Sequence, residues 1–220
     1  MKVVCKLCTL VLAWALAGVL GTTTAKAAES LGYDQLVAQA EAGKVPVDYT
    51  VLRMAYVTSA HYDPYSARVR APFEAMWKAF TSGDCTTALA KSDDLLKINY
   101  TYISAHAVRG ECFNRAGDHV RAAIEDAVGR GLDESLMGSG VGTMAKPYVA
   151  ISLNEEGYVL AAKGIAKETQ SLVNNGGHMY DLIEGTDTKT GHKTGVLFQI
   201  DGIFAGETRS LEGKRSAPGH

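Results

Sequence analysis

Through the first two thirds of the chain, apolar residues recur at three- and four-residue intervals, the period of helices that bury one face. Tyr33 to Ala42 is one such stretch: Leu36, Val37 and Ala40 share a face, and Gly43 stops it. Pro46 marks a turn. Asp48 then precedes a second stretch, with Val51, Leu52, Ala55 and Tyr56 at helical spacing. The Asp63-Pro64 step disfavours helix at Asp63, so His61 to Tyr65 is expected to be a fixed turn carrying exposed aromatics. Two helix pairs follow. The first joins a helix from about Val69 to Thr81, marked by Phe73, Trp77 and Phe80, to one from Cys85 to Leu96. The second starts near Ile103. Val120, Ile124, Ala127 and Val128 lie on its second helix, which Gly129 and Gly131 are expected to end.

A Gly-Asp pair sits at the turn of each helix pair, at Gly83-Asp84 and Gly117-Asp118, 34 residues apart. That spacing is the length of a tetratricopeptide (TPR) unit. Aligned on these turns, Gly110 takes the small position where paired helices approach, Phe113 the aromatic position and Ala122 the small position after the turn.

Past Gly138-Ser139-Gly140-Val141-Gly142-Thr143 the pattern changes to short β-like runs: Tyr148 to Ile151, Tyr158 to Ala162, Gln170 to Val173, His178 to Glu184 and Thr194 to Ile200. Asn174-Asn175-Gly176-Gly177 signals a hairpin turn. Val196, Phe198 and Ile200 alternate with Leu197, Gln199 and Asp201, as in a half-buried strand. Helices followed by strands with short loops give an α+β chain: TPR-like α-helical hairpins, then a small antiparallel β meander. The expected organisation is a leader at 1–27, a helical domain at 28–137, a linker at 138–145, a β domain at 146–205 and a disordered tail at 206–220.

The leader reading rests on Lys2 and Lys6, an apolar run from Leu7 to Leu20, and the small-x-small step Ala25-Lys26-Ala27. The run is too short for a bilayer span, so the mature chain is expected to be exported, to the periplasm, with no membrane span. Without Lys2, Lys6 and Lys26 the chain has 19 basic and 24 acidic residues, a net charge of −5. A mildly acidic chain with no basic run argues against nucleic acid as a partner. Cys85 and Cys112 are the only cysteines beyond the leader. The repeat alignment puts them at neighbouring ends of antiparallel helices, and in an oxidising compartment a disulfide is expected. The alternative is two buried thiols at packing positions.

The segment Tyr33 to Leu211 resembles the exported bacterial proteins grouped as domain of unknown function 4919. The likeness is carried by Arg53-Met54-Ala55-Tyr56, His61-Tyr62-Asp63-Pro64-Tyr65-Ser66, the Gly-Asp helix pairs and the Gly-Ser-Gly link before Tyr148-Val149. Ile151-Ser152, Glu155-Glu156-Gly157-Tyr158, Gln170-Ser171-Leu172, Gly177-His178 and Tyr180-Asp181 continue it. The resemblance implies the architecture and no catalytic residues. Family members usually carry Asp between the link glycines, where this chain has Ser139.

Chemistry-bearing motifs are sparse. The glycines at 138–142 have a helix before and a strand after, the reverse of a phosphate loop. The histidines form no His-Glu-x-x-His and no short cluster, so no metal or cofactor is expected. His178 and Asp181 fall on opposite faces of a strand, although His178 and His192 could approach across a hairpin. Asp93-Asp94 and Glu155-Glu156 point apart within each pair and are read as solvated faces. The aromatics Tyr33, Tyr62, Tyr65, Phe73, Trp77 and Phe80 are either core or a groove. In a TPR stack the first helix of each pair lines the concave surface, which here would hold Phe73, Trp77 and Phe80, then Ser104, Glu111, Asn114 and Arg115. The function expected is a non-enzymatic module of the cell envelope that binds another protein or peptide. That face would contact it, with the Tyr62–Tyr65 turn alongside. The alternatives are an envelope hydrolase with a site near Tyr62, His178 and Asp181, and an inhibitor or immunity-like protein capping an exported enzyme.

Overall fold

The computed structural model describes residues 31–43, 46–65, 67–206 and 208. The leader at 1–27 lies outside them, as does nearly all of the expected tail; of that tail only Gly206 and Thr208 are described, both helical. Helices α1 (Tyr33–Ala42) and α2 (Tyr49–Thr58) open the chain. A left-handed Gly43 ends α1, and the Asp48 carboxylate caps α2 by accepting from the Thr50 and Val51 amides at 2.9 and 3.1 Å. A 3-10 turn, Ala67–Val69, leads into α3 (Arg70–Thr81), and α4 (Cys85–Ile98), α5 (Ile103–Arg115) and α6 (His119–Ser139) follow.

Each Gly-Asp pair does two things at its turn. Gly83 and Gly117 take φ of 83° and 76°, a region that side chains rarely enter. Asp84 and Asp118 then cap the next helix, each carboxylate accepting a backbone N–H at 3.0 Å, from Thr87 and Arg121. Matching backbone bonds, Asp84 N to Ala79 O and Asp118 N to Phe113 O, are both 2.9 Å. The two turns thus repeat each other bond by bond.

Gly129 and Gly131 do not end the second pair: α6 continues to Ser139. Both are contact sites inside a continuous helix. Gly129 lies against the His106 side chain of α5, and a Cβ on Gly131 would sit 2.0 Å from the Tyr49 ring. The expected link is likewise ordered at its start. Gly138 and Ser139 complete α6, and the Ser139 hydroxyl donates to Leu136 O while accepting from Val149 N. At Gly140 a Cβ would fall 2.1 Å from the Pro147 carbonyl, so the glycine is there for a close crossing.

After β1 (Tyr148–Val149) comes α7 (Leu153–Lys163), then β2 (Ile165–Asn175), β3 (His178–Asp187) and β4 (Lys193–Gln199). The run Tyr158 to Ala162 is thus helix, not strand. A short apolar run cannot by itself separate the two. The deciding signals flank it: acidic Glu155 and Glu156 in the first turn and left-handed Gly164 at the end. The four strands are ordered β1-β4-β3-β2. β2, β3 and β4 form the expected antiparallel meander, and β1 makes the sheet mixed by running parallel to β4. Gly176 and Gly177, both at positive φ, close the β2–β3 hairpin in two residues.

The protein is α+β, and the described residues form one compact unit. The larger core cluster joins helices to sheet: Leu52 and Tyr56 of α2, Leu132 and Leu136 of α6, and Val159 of α7 meet Ile183, Val196 and Phe198. A smaller one fills the two hairpins, with Met76, Ala88, Leu95, Tyr102, Val108 and Cys112. Arg53 of α2 is fully buried. It makes a two-pronged pair with Glu155 of α7 at 2.9 and 2.7 Å, and donates to Val149 O and Ser135 Oγ. One guanidinium thus ties α2, α6, β1 and α7 together. Among the described residues no helix is long and apolar enough to cross a membrane.

Candidate functional site

On α3, Phe73, Trp77 and Phe80 follow each other at steps of four and three, so they share one stripe. Met76 and Ala79, one position earlier than Trp77 and Phe80, point into the hairpin core. The stripe is consequently graded. Phe73 is half-buried against Tyr102, with ring centroids 5.9 Å apart. Trp77 is 49% exposed and lies 5.8 Å from the half-buried Phe80. The Arg115 guanidinium of α5 sits 4.9 Å from the Phe80 centroid, and its Nε donates to Glu111 one turn back at 2.7 Å. Asn114 is exposed, its Oδ1 3.3 Å from His119 Nδ1. Trp77, Phe80, Arg115 and Glu111 thus form one continuous ridge across α3 and α5.

The disulfide Cys85–Cys112 joins the start of α4 to the end of α5, with Cα atoms 5.4 Å apart. It fixes the second hairpin against the first, and so fixes the two halves of the ridge relative to each other.

The Tyr62–Tyr65 turn divides in two. The Tyr62 hydroxyl donates to Ile151 O at 2.8 Å, and its ring packs edge-on against Tyr56 at 5.1 Å. It props α2 against the strand region. Tyr65 is 45% exposed and lines a cavity of about 210 Å³ with Asp63, Asn99, Tyr102 and Ser152.

A larger cleft, about 470 Å³, opens between α1, α4, α5 and α6. Tyr33, Val37, Leu96 and Ile124 give it apolar walls, and Glu41, Lys97, Arg109 and Glu125 give it charge. A buried relay stands behind it. The ring nitrogens of fully buried His106 face Tyr100 O and Glu125 Oε2, each at 2.7 Å; Arg109 Nε donates to Glu125 Oε1 at 2.6 Å and also pairs with Asp93. Burial pushes the Glu125 carboxyl up, but the hydrogen bonds from His106 and Arg109 outweigh it and hold the pKa below its ordinary value. The charges of Arg109, Glu125 and Asp93 thus offset one another. Sequence reasoning misses this cleft because His106, Arg109 and Glu125 meet only when α5 packs on α6.

The residues named for the hydrolase alternative have other partners. His178 is exposed and pairs with Asp201 at 2.6 Å. Asp181 is 6% exposed and accepts from the Gln170 amide at 2.5 Å. Tyr62 donates to Ile151 O, so each of the three side chains is engaged by a different partner. His192 precedes β4, whereas His178 opens β3 at the far end of that antiparallel pair, so the two do not meet. Among the described residues no group of three or more histidine, cysteine or acidic side chains could hold a metal.

Asp93 and Asp94 lie on the surface as expected, but Glu155 and Glu156 do not. They point apart, yet both are buried, Glu155 on Arg53 and Glu156 against Asp181. Burial, then the Asp181 charge, pushes Glu156 up to about 8. That shift favours the neutral carboxylic acid at pH 7. No family model, curated protein or solved structure matches the chain.

Proposed function

We propose that the protein is an exported, periplasmic, non-catalytic module that docks another protein or peptide through the α3/α5 ridge of its TPR-like hairpins. One observation carries the reading: Trp77 is half-exposed beside Phe80, on a face where Arg115 stacks over Phe80 and Glu111 holds Arg115. Exposed aromatic area flanked by arginine is the composition of interface anchors, because an indole brings large contact area at low entropic cost. The partner's matching chemistry is an apolar side chain for Trp77 and a carboxylate for the remaining Arg115 N–H donors. Rigidity supports the same reading, since the disulfide ties α4 to α5 and the matched Asp caps set the turns that follow α3 and α5 before any partner arrives.

Affinity purification from an envelope fraction tests it, with recovered proteins quantified for wild type, Trp77→Ala and Arg115→Ala. The expected result is a defined partner at one-to-one stoichiometry whose recovery falls at least tenfold in both variants, about 1.4 kcal/mol each. Neither side chain is in the core, so both variants should stay folded, read as a retained cooperative urea transition. Equal recovery with all three baits contradicts the proposal.

A further inference from the structure

β2 is the outer strand of the sheet, eleven residues long, and every residue except Ile165 and Val173 is exposed. Its inner edge bonds β3 along its whole length. No other segment of the described chain forms a strand on its outer edge. An open edge of that length is a template for another strand, and proteins usually guard it with a bulge, a proline or outward charges. Here the guards stand on one half only. The register shift lies between Lys167 and Thr169. Glu168 is spent on Lys193 at 2.6 Å and on Thr186, and Lys167 on Gln170. The other half, Gln170-Ser171-Leu172-Val173-Asn174-Asn175, has no charge, no proline and no bulge, and Leu172 in its middle is 55% exposed.

We propose that this half-strand pairs antiparallel with the same segment of a second copy of the chain, about a two-fold axis at Leu172. The segment's own pattern favours that occupant. In this register Leu172 faces Leu172 of the second copy, Gln170 faces Asn174, and Ser171 faces Val173. Apolar thus meets apolar at the axis, and amide meets amide on either side. Extending the pairing places Glu168 and Lys167 opposite Gly176 and Gly177, so no like charges confront each other. The two-fold relation makes the contact self-complementary and closed, so it yields a dimer and no fibre. The pairing joins two four-stranded sheets into one of eight. It uses a surface separate from the α3/α5 ridge and does not depend on the function proposed for that ridge.

The test is sedimentation equilibrium of the full chain across concentration, together with cysteine cross-linking. Cys5 and Cys8 are replaced by serine, so an introduced cysteine supplies the only unpaired thiol. A monomer–dimer equilibrium is expected, and Leu172→Lys should weaken it at least tenfold. Leu172→Cys should form disulfide-linked dimers at least tenfold faster than Thr190→Cys, since opposed residues lie within disulfide reach. Leu172 is exposed on an edge, so both variants keep the fold. A monomer at all concentrations up to about 1 mM overturns the proposal. So does a dimer indifferent to Leu172→Lys, or cross-linking that is no faster from position 172 than from position 190.

Discussion

Glu156→Gln isolates one titration in this protein. Glu156 is 3% exposed, its Oε1 has no partner, and its other contact is the buried Asp181. Burial raises its pKa from 4.5 to about 8, whereas the unfolded chain returns it to about 4.5. Between those values the folded state holds a proton that the unfolded state has released. The contribution to stability is therefore complete below pH about 4.5, declines as pH rises, and is gone once pH passes about 8. One differential proton is worth about 1.4 kcal/mol for each pH unit crossed, so the ceiling on the loss over this range is about 5 kcal/mol. The other carboxyls that the fold perturbs, among them Asp84, Asp118, Glu125, Glu168 and Asp201, are held below their ordinary values, so their linkage sets in only as pH falls through about 4.5. Among these carboxyls, only Glu156 is raised into the window from pH 5 to 8, and the Gln variant isolates its share. Glutamine keeps the shape, donates to Asp181 at every pH and cannot ionise. Urea unfolding at intervals from pH 5 to 9 should show wild-type stability falling by up to about 1.4 kcal/mol per pH unit, and the Gln variant falling by about one proton's worth less. Parallel curves for the two proteins would refute the reasoning.

Two other predictions bear on stability. Reducing Cys85–Cys112, which are 27 residues apart, should cost about 3.5 kcal/mol on the chain-entropy model, read as a lower urea midpoint with dithiothreitol; an unchanged midpoint contradicts it. Arg53→Ala strands the buried Glu155 carboxylate and should cost about 3–5 kcal/mol. The double variant Arg53→Met with Glu155→Leu should cost less than Arg53→Ala in the same denaturation, and an equal or greater cost contradicts the assigned role.

The helical half is legible where local chemistry decides local structure. Spacing and Gly43 place Tyr33–Ala42 to the residue, and the Gly-Asp pairs mark both hairpin turns because a left-handed glycine followed by a capping Asp fits there. The disulfide is readable for the same reason, since the repeat aligns the two helix ends. Errors arise where tertiary contact outweighs local preference. Gly129 and Gly131 look like stops, but they are where His106 and Tyr49 press on α6. Val159 and Leu160 read as strand because a short apolar run carries no period of its own. Glu155 and Glu156 look solvated because neither Arg53 nor Asp181, their partners, is a sequence neighbour. For the candidate face, helical spacing gives the Phe73–Trp77–Phe80 stripe, while the stacking of Arg115 on Phe80 needs the packing of α5 against α3. The cleft lined by Glu41, Lys97 and Arg109 has no signal at all, since three separate helices supply it.

The most direct measurement of the docking claim is photo-cross-linking in intact cells, with a photoreactive phenylalanine analogue placed at position 77 and, as a control, at Val120, which is 75% exposed on α6. A ridge that docks a partner gives a discrete adduct from position 77 that disappears on adding Arg115→Ala, and none from position 120. The same adducts from both positions, or an adduct from 77 that survives Arg115→Ala, would contradict it.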